Sequence, residues 1–312
     1  MSEGSGKKWW VLGCLGAIGV VLLVVVSVVA FVFVSARNAH PVTDVRTYGA
    51  TTPGDEALRP TLATGQRSAP ADGTAGAPRA GTVVLKMIGG ETFVEPAAPG
   101  EPLSIDARYD ERNYELTESF EDGEPWTYEV SFRLTGSSFL TGLKEAIGGT
   151  QPRIRLRVPV GVPIDLIVLQ RQGGVVVDVG GLNLGSIEFD IENALLMVSA
   201  SQPLSSPANR FKVVGSKGAV LLQNMDRVSP ALLDIDFSMG EAQLDLRGRW
   251  LQDAEIGLTT GMSDVILRLP RDATIEGLET AGRAISPNVE IALPTLRFEV
   301  SRGRRGKIEI FE

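Results

Sequence analysis

The sequence predicts a mainly β protein: a repetitive stacked β-sheet of β-helix, solenoid-like or sandwich form, preceded by one transmembrane α-helix and a disordered linker. Three observations carry this prediction. From Gly81 onward the chain is a succession of short alternating or fully apolar runs broken by glycine, which is the pattern of strands and turns. Ahead of them lies a stretch rich in proline, alanine, glycine and threonine, and ahead of that an uninterrupted apolar run from Val11 to Val34.

At about 1.5 Å of rise per residue, the apolar run is long enough to cross a hydrocarbon core of about 30 Å. Residues 11–35 are therefore expected to span the bilayer as a signal anchor. Lys7 and Lys8 precede the run and only Arg37 follows closely, so the charge bias keeps residues 1–10 in the cytoplasm and sends the rest outside. Cleavage near Val34-Ser35-Ala36 is the alternative, although secretory apolar cores usually run only about 7–15 residues. Cys14 precedes the apolar core, whereas a lipid-modified cysteine follows it, so a buried thiol is expected. Gly13, Gly16, Ala17 and Gly19 are small enough to admit a second helix at close range.

Residues 36–80 hold too few large apolar side chains to repay the entropy of ordering, and are expected to form a disordered tether. As a flexible coil of about 45 residues it would reach about 35–40 Å. The β-domain is then 81–312. Thr82 to Ile88 and Leu103 to Tyr109 read as strands. Trp126 to Leu134 alternates likewise and suits a hairpin with the strand before it, joined across Glu118 to Pro125. Ser138 to Ile147 lacks the alternation and ends at Gly148-Gly149, which suits a single helix closed by glycine. From Arg153 to Leu269, strands of five or six residues recur with a glycine turn every 8–12 residues or so. Leu233 to Leu246 and Ala254 to Leu267 are two successive strand–glycine–strand units of similar size. Leu296 to Val300 and Ile308 to Phe311 are expected to be two terminal strands joined by a turn.

Composition excludes several function classes. The 312 residues carry 30 basic and 38 acidic side chains, and removing the cytoplasmic Glu3, Lys7 and Lys8 leaves a net charge of about −9 outside. Such a surface does not attract nucleic acid. Cys14 and His40 are the only residues of their types, so no zinc site built on Cys and His and no Cys–His pair is available beyond the membrane. A Ser–His–Asp triad would need His40, which lies in the tether. No catalytic residue, metal ligand or cofactor site is expected.

Five groups of residues invite a functional reading. Asp110, Glu111, Glu115, Glu118, Glu121, Asp122 and Glu124 lack the spacing of a calcium loop and read as a solvated hairpin tip. Asp234 with Asp236, or Glu241 with Asp245, resemble a carboxylate pair, but residues two apart on a strand share a face on any polar surface. Trp126, Tyr128 and Trp250 offer rings for stacking on sugars, or for packing in the core. Arg302, Arg304, Arg305 and Lys307 form the one basic cluster outside, a candidate contact for an anionic envelope polymer or a partner. Gly173-Gly174, Gly180-Gly181 and Gly215-Ser216-Lys217-Gly218 open no helix and read as β-turns, not phosphate cradles.

Val158-Pro159-Val160-Gly161-Val162-Pro163-Ile164-Asp165-Leu166, followed by Gly174-Val175-Val176-Val177-Asp178-Val179-Gly180-Gly181-Leu182, resembles the bacterial adhesin-type domains of glycine-punctuated β-repeats, the toastrack fold. Gly240 to Leu246 and Gly261 to Pro270 are similar to the C-terminal domain of the cell-wall stress proteins LiaF and LiaG. The resemblance implies a stacked β-scaffold outside the membrane, concerned with envelope stress sensing or surface interaction, with no catalytic residues to carry over. Partners are then the lipid bilayer, through the N-terminal helix, and an envelope polymer or membrane signalling protein. A surface adhesin or structural stalk is the alternative, and a polysaccharide-active enzyme a more distant one.

The topology is directly testable. A reporter enzyme active only outside the cytoplasm, fused after Glu312, is expected to work; activity confined to the cytoplasm would contradict the anchor.

Overall fold

The computed structural model describes residues 41–47 (backbone only), 79–135, 151–278, 293–303 and 306–311. Within them the chain is almost entirely strand. The elements are β1 (Pro41–Thr47), β2 (Gly81–Met87), β3 (Glu91–Pro96), β4 (Ser104–Asp110), β5 (Tyr114–Glu121), β6 (Trp126–Leu134), β7 (Arg153–Val158), β8 (Pro163–Gln170) and β9 (Gly173–Asp178). There follow β10 (Asn183–Ile191), β11 (Ala194–Ser199), β12 (Arg210–Gly215), β13 (Gly218–Gln223), β14 (Leu232–Asp245), β15 (Ala254–Arg268), β16 (Thr274–Glu276), β17 (Thr295–Arg302) and β18 (Lys307–Phe311). Met225–Arg227 is a single 3-10 turn.

The strands pair into two runs. One wall is β5-β6-β2-β8-β10-β12, then the first halves of β14 and β15, then β17 and β16. The other is β1-β4-β7-β3-β9-β11-β13, then the second halves of β14 and β15, then β18. Consecutive strands such as β8 and β9 lie on opposite walls, so each pair is one rung that turns a corner between them. The two walls make one large sheet that bends at the corners and nearly closes around a single core. Pairing is parallel throughout, except where β1, β4 and β5 run antiparallel to their neighbours at one end.

Alternation decides what each wall buries. Down the first wall, Tyr128, Val83, Leu166, Ile187, Phe211, Leu233, Ile256 and Phe298 stand in one register column, all pointing inward and buried. Down the second, Ile105, Leu156, Val94, Val177, Val198, Leu222, Leu244 and Leu267 do the same. Each such side chain contributes about 1.5–3 kcal/mol by leaving water. At the antiparallel end, Phe132 is stacked on Tyr114 at 4.8 Å between centroids and meets Tyr109 edge-on at 5.4 Å. These rings close the core where the rungs stop.

The corners demand small residues. Gly173, Ala194, Gly218, Gly240 and Ser263 fall in one column at the start of the second wall. Gly218 has φ +121° and Gly240 φ +127°, a region that side chains with a Cβ rarely enter. A Cβ at Gly218 would lie 1.9 Å from the Ala194 carbonyl oxygen, and one at Gly240 2.0 Å from that of Gly218. One rung below Phe237, Gly215 leaves the space its ring occupies, since a Cβ there would stand 2.3 Å from Phe237 Cδ2.

Several expectations are revised. The stretch 36–80, expected to be a tether, contains β1, whose backbone pairs with β4 from Pro41 opposite Asp110 to Thr47 opposite Ser104 and so occupies the edge of β4. Arg79 is also placed: its carbonyl accepts from Trp126 Nε1 at 3.2 Å. The hairpin at Trp126–Leu134 is formed with β5, and its turn is shorter than Glu118 to Pro125 because Glu118 to Glu121 belong to the strand. The terminal strands β17 and β18 do not pair with each other. They lie beside successive halves of β15, one on each wall. The transmembrane segment and the Ser138–Ile147 helix lie outside the described residues; among those described, no helix is long and apolar enough to cross a membrane.

Gly218→Ala is expected to destabilise the domain by about 2 kcal/mol or more, from forced φ and the clash with Ala194. Gly174→Ala, where nothing lies within 4 Å of the added Cβ, should stay within about 0.5 kcal/mol. Urea unfolding of both variants checks this, and equal stabilities would contradict the corner geometry.

Candidate binding surfaces

Stacking converts outward-facing residues into columns about 4.8 Å apart from rung to rung. On the first wall the central outward column reads Glu129, Val84, Ile167, Glu188, Lys212, Asp234, Gly257, Glu299. Polar and charged residues dominate it, tied by Lys86–Glu129 at 2.7 Å and Lys212–Glu188 at 2.8 Å. On the second wall the column reads Asp106, Arg155, Phe93, Val176, Met197, Leu221, Gln243, Ile266, Glu309. Its middle is apolar and its ends are charged.

The basic end comes from β7, where Arg153, Arg155 and Arg157 alternate with Ile154, Leu156 and Val158. Arg153 pairs with Glu91 at 2.9 Å, and Arg157 and Arg155 share Glu95 at 3.1 and 3.7 Å. The guanidinium carbons of Arg153 and Arg155 also stand 5.2 and 5.8 Å from the centroid of the Phe93 ring, within cation–π range. These arginines were not singled out in the sequence. The signal that marks them is the run Arg-Ile-Arg-Leu-Arg-Val, in which a buried aliphatic at every second place forces the arginines onto one outer face.

Toward the other end, Asp245 accepts from Arg247 at 2.6 Å and lies 4.0 Å from Arg268. The Arg247 hydrogen bond holds its carboxyl below the usual carboxylate range. Lys307 bonds Glu309, which raises the ammonium above its ordinary value. Asp226 is shifted the opposite way, upward, chiefly because it is partly buried. Its carboxylate sits where a Cβ on Gly248 would have to go.

Of the predicted basic cluster, Arg302 ends β17 in register with Thr260 and is exposed, and Lys307 begins β18. Arg304 and Arg305 lie outside the described residues. Asp234 and Asp236 share the outer face of the first wall, and Glu241 and Asp245 that of the second, as alternate residues of one strand do. The acidic stretch is taken up structurally. Asp110 accepts from Arg112 N and Asn113 Nδ2 to close the β4–β5 turn, Glu118 accepts from Tyr128 OH at 2.6 Å, and Asp122 pairs with Arg79 at 3.0 Å. Trp126, Tyr128 and Trp250 are core side chains, each no more than 2% exposed. Among the described residues, no three His, Cys, Asp or Glu side chains gather as a metal site. A cleft of about 500 Å³ opens where the first wall begins, between Arg79, Gly81, Pro125, Pro163, Asp165 and Gly185.

Arg247→Met should raise the Asp245 pKa toward the ordinary carboxylate value. With its folded pKa depressed, Asp245 adds stability above the unfolded pKa, near pH 4, and loses it as pH falls through the folded value. Wild type should therefore exceed the variant in stability at neutral pH, and the gap should close in acid. Carboxyl NMR titration reads the shift, and an unchanged pKa in the variant would contradict the pairing.

No family model and no curated protein sequence matches the chain. Among solved structures it is similar to one described as a "putative cell adhesion protein" from Clostridium sporogenes, at 10% identity over 87% of this chain and 99% of that one. The TM-score is 0.36, and at that level the likeness carries no argument about function.

Proposed function

We propose that this is a non-enzymatic, single-pass membrane protein whose extracytoplasmic β-scaffold binds an anionic envelope polymer and takes part in sensing the state of the cell envelope. The observation that carries the reading is the cationic end of the last rung, where Arg302 closes β17 and Lys307 opens β18 on an otherwise acidic domain; a local cluster of cations is what an anionic polymer would meet. Location follows from the apolar run Val11–Val34 and the lysines before it. The proposed contact is the run Arg302, Arg304, Arg305 and Lys307, four cations within six residues of sequence.

Full-length protein in nanodiscs is expected to be retained on peptidoglycan carrying anionic polymer at micromolar concentration, and to be released as salt is raised. Replacing all four basic residues by glutamine should weaken retention several-fold. Retention that is absent, or unaffected by the four substitutions, would contradict the reading.

A further inference from the structure

We infer that two copies of this chain pack through their second walls, related by a two-fold axis that lies parallel to the strands and passes between β11 and β13. This goes beyond polymer binding at the basic cluster and does not depend on it.

The centre of the second wall is apolar on four consecutive rungs, at Phe93, Val176, Met197 and Leu221. Leu195 and Ala219 widen the patch toward the corner. Val176 is 36% exposed and Leu195 44%. A polar rim surrounds it, which is the anatomy of a protein interface. From Arg155 to Glu309 the column spans seven rung spacings, and with strands of about six residues the face measures roughly 700 Å² per copy. That is close to the roughly 800 Å² per partner of a stable complex.

Charge fixes the occupant and its direction. The β4–β7–β3 end carries Arg108, Arg153, Arg155 and Arg157 against Asp106, Glu91 and Glu95, a surplus of positive charge. The far end carries Glu241, Asp245, Asp264 and Glu309 against Arg247, Arg268 and Lys307, a surplus of negative charge. A face with this polarity complements a reversed copy of itself. The two-fold sets Met197 over the second copy's Leu221, Phe93 over its Ile266 and Arg155 over its Glu309. It also turns Glu91 toward Asp264, Asp178 toward Asp245 and Arg153 toward Lys307, but these charges are locally compensated, Arg153 by Glu91 and Lys307 by Glu309. Glu91 has Arg153 at 2.9 Å, Asp245 has Arg247 at 2.6 Å, Asp178 accepts the Gly180 and Ser201 amides at 2.9 Å, and Asp264 stands beside Lys307. The first wall lacks this complementarity: Glu188, Asp190, Asp234, Asp236, Glu255 and Glu299 outnumber Arg210, Lys212 and Arg297, so two first walls repel.

An axis parallel to the strands keeps the corner edges of both copies on one side. Pro41, opposite Asp110 at the corner end of β4, then starts β1 on the same side in each copy. Both N-terminal segments leave in one direction, as two anchors in one bilayer require; this consequence alone rests on the proposed anchor.

Cross-linking in membranes tests the pairing. In full-length protein with Cys14→Ser, Leu221→Cys treated with a short bis-maleimide should give a covalent dimer, and Lys212→Cys on the first wall should not. Adding Arg155→Glu to Leu221→Cys should cut the yield several-fold, and adding Glu309→Arg to that variant should restore it. Each variant is first matched to wild type by circular dichroism. Absence of dimer from Leu221→Cys, or equal yield from Lys212→Cys, would overturn the interface. Failure of Glu309→Arg to restore it would overturn the antiparallel arrangement. Leu221→Cys and Arg155→Glu lie away from the basic cluster, so polymer retention by those variants reports separately on the proposed function; Glu309 bonds Lys307 of that cluster, so the restoring variant is scored by cross-linking alone.

Discussion

At each corner the backbone of one rung passes over a carbonyl of the rung beneath, and that close approach sets the register of everything else. Gly218 over Ala194 and Gly240 over Gly218 leave no room for a Cβ, so the second wall starts at the same level on successive rungs. Fixed starts align Val177 with Val198 and Leu222 with Leu244 in the core, and they align Val176, Met197 and Leu221 on the outer face. A one-residue slip at any corner would exchange the two faces. The turns thus specify both the stability of the domain and the pattern it displays.

Much of this was legible in the sequence, because alternation and glycine are local signals. Val175, Val177 and Val179 announce one buried face without reference to any other strand, and Gly240 and Gly261 mark the bends of β14 and β15. Pairing across long separations has no such signal. Leu85 lies between Val130 and Val168, so the rung of β2 and β3 is inserted between those of β6–β7 and β8–β9, an order that no local pattern encodes. The two terminal strands, Leu296–Val300 and Ile308–Phe311, were legible, but their partners were not: neighbours in sequence suggest direct pairing, whereas here each prolongs a wall already built by β15. The candidate surfaces were the least legible part. The basic cluster at Arg302 to Lys307 was visible as a run, but Arg153, Arg155 and Arg157 become a surface only when set beside Phe93, Glu91 and Glu95.

The last rung shows how a stacked sheet ends. Arg302 occupies the column that Phe237 and Thr260 fill on the rungs below it, so the inward corner position changes from a buried ring to a charge. A charge at the end of a core column discourages another sheet from extending the stack, and it belongs to the cluster proposed to meet the envelope polymer. At the opposite end the antiparallel strands β4 and β5 and the Tyr114–Phe132 stack close the core.

The register columns require both walls to be continuous stacks with β2–β3 between β6–β7 and β8–β9. Spin labels at Glu129→Cys and Glu299→Cys, in a Cys14→Ser background, would sit in one outward column of the first wall, on β6 and β17. Seven rung spacings separate them. Pulsed electron–electron resonance should give one narrow distribution centred at about 34 Å; a distance under about 20 Å, or a broad spread, would contradict the stack.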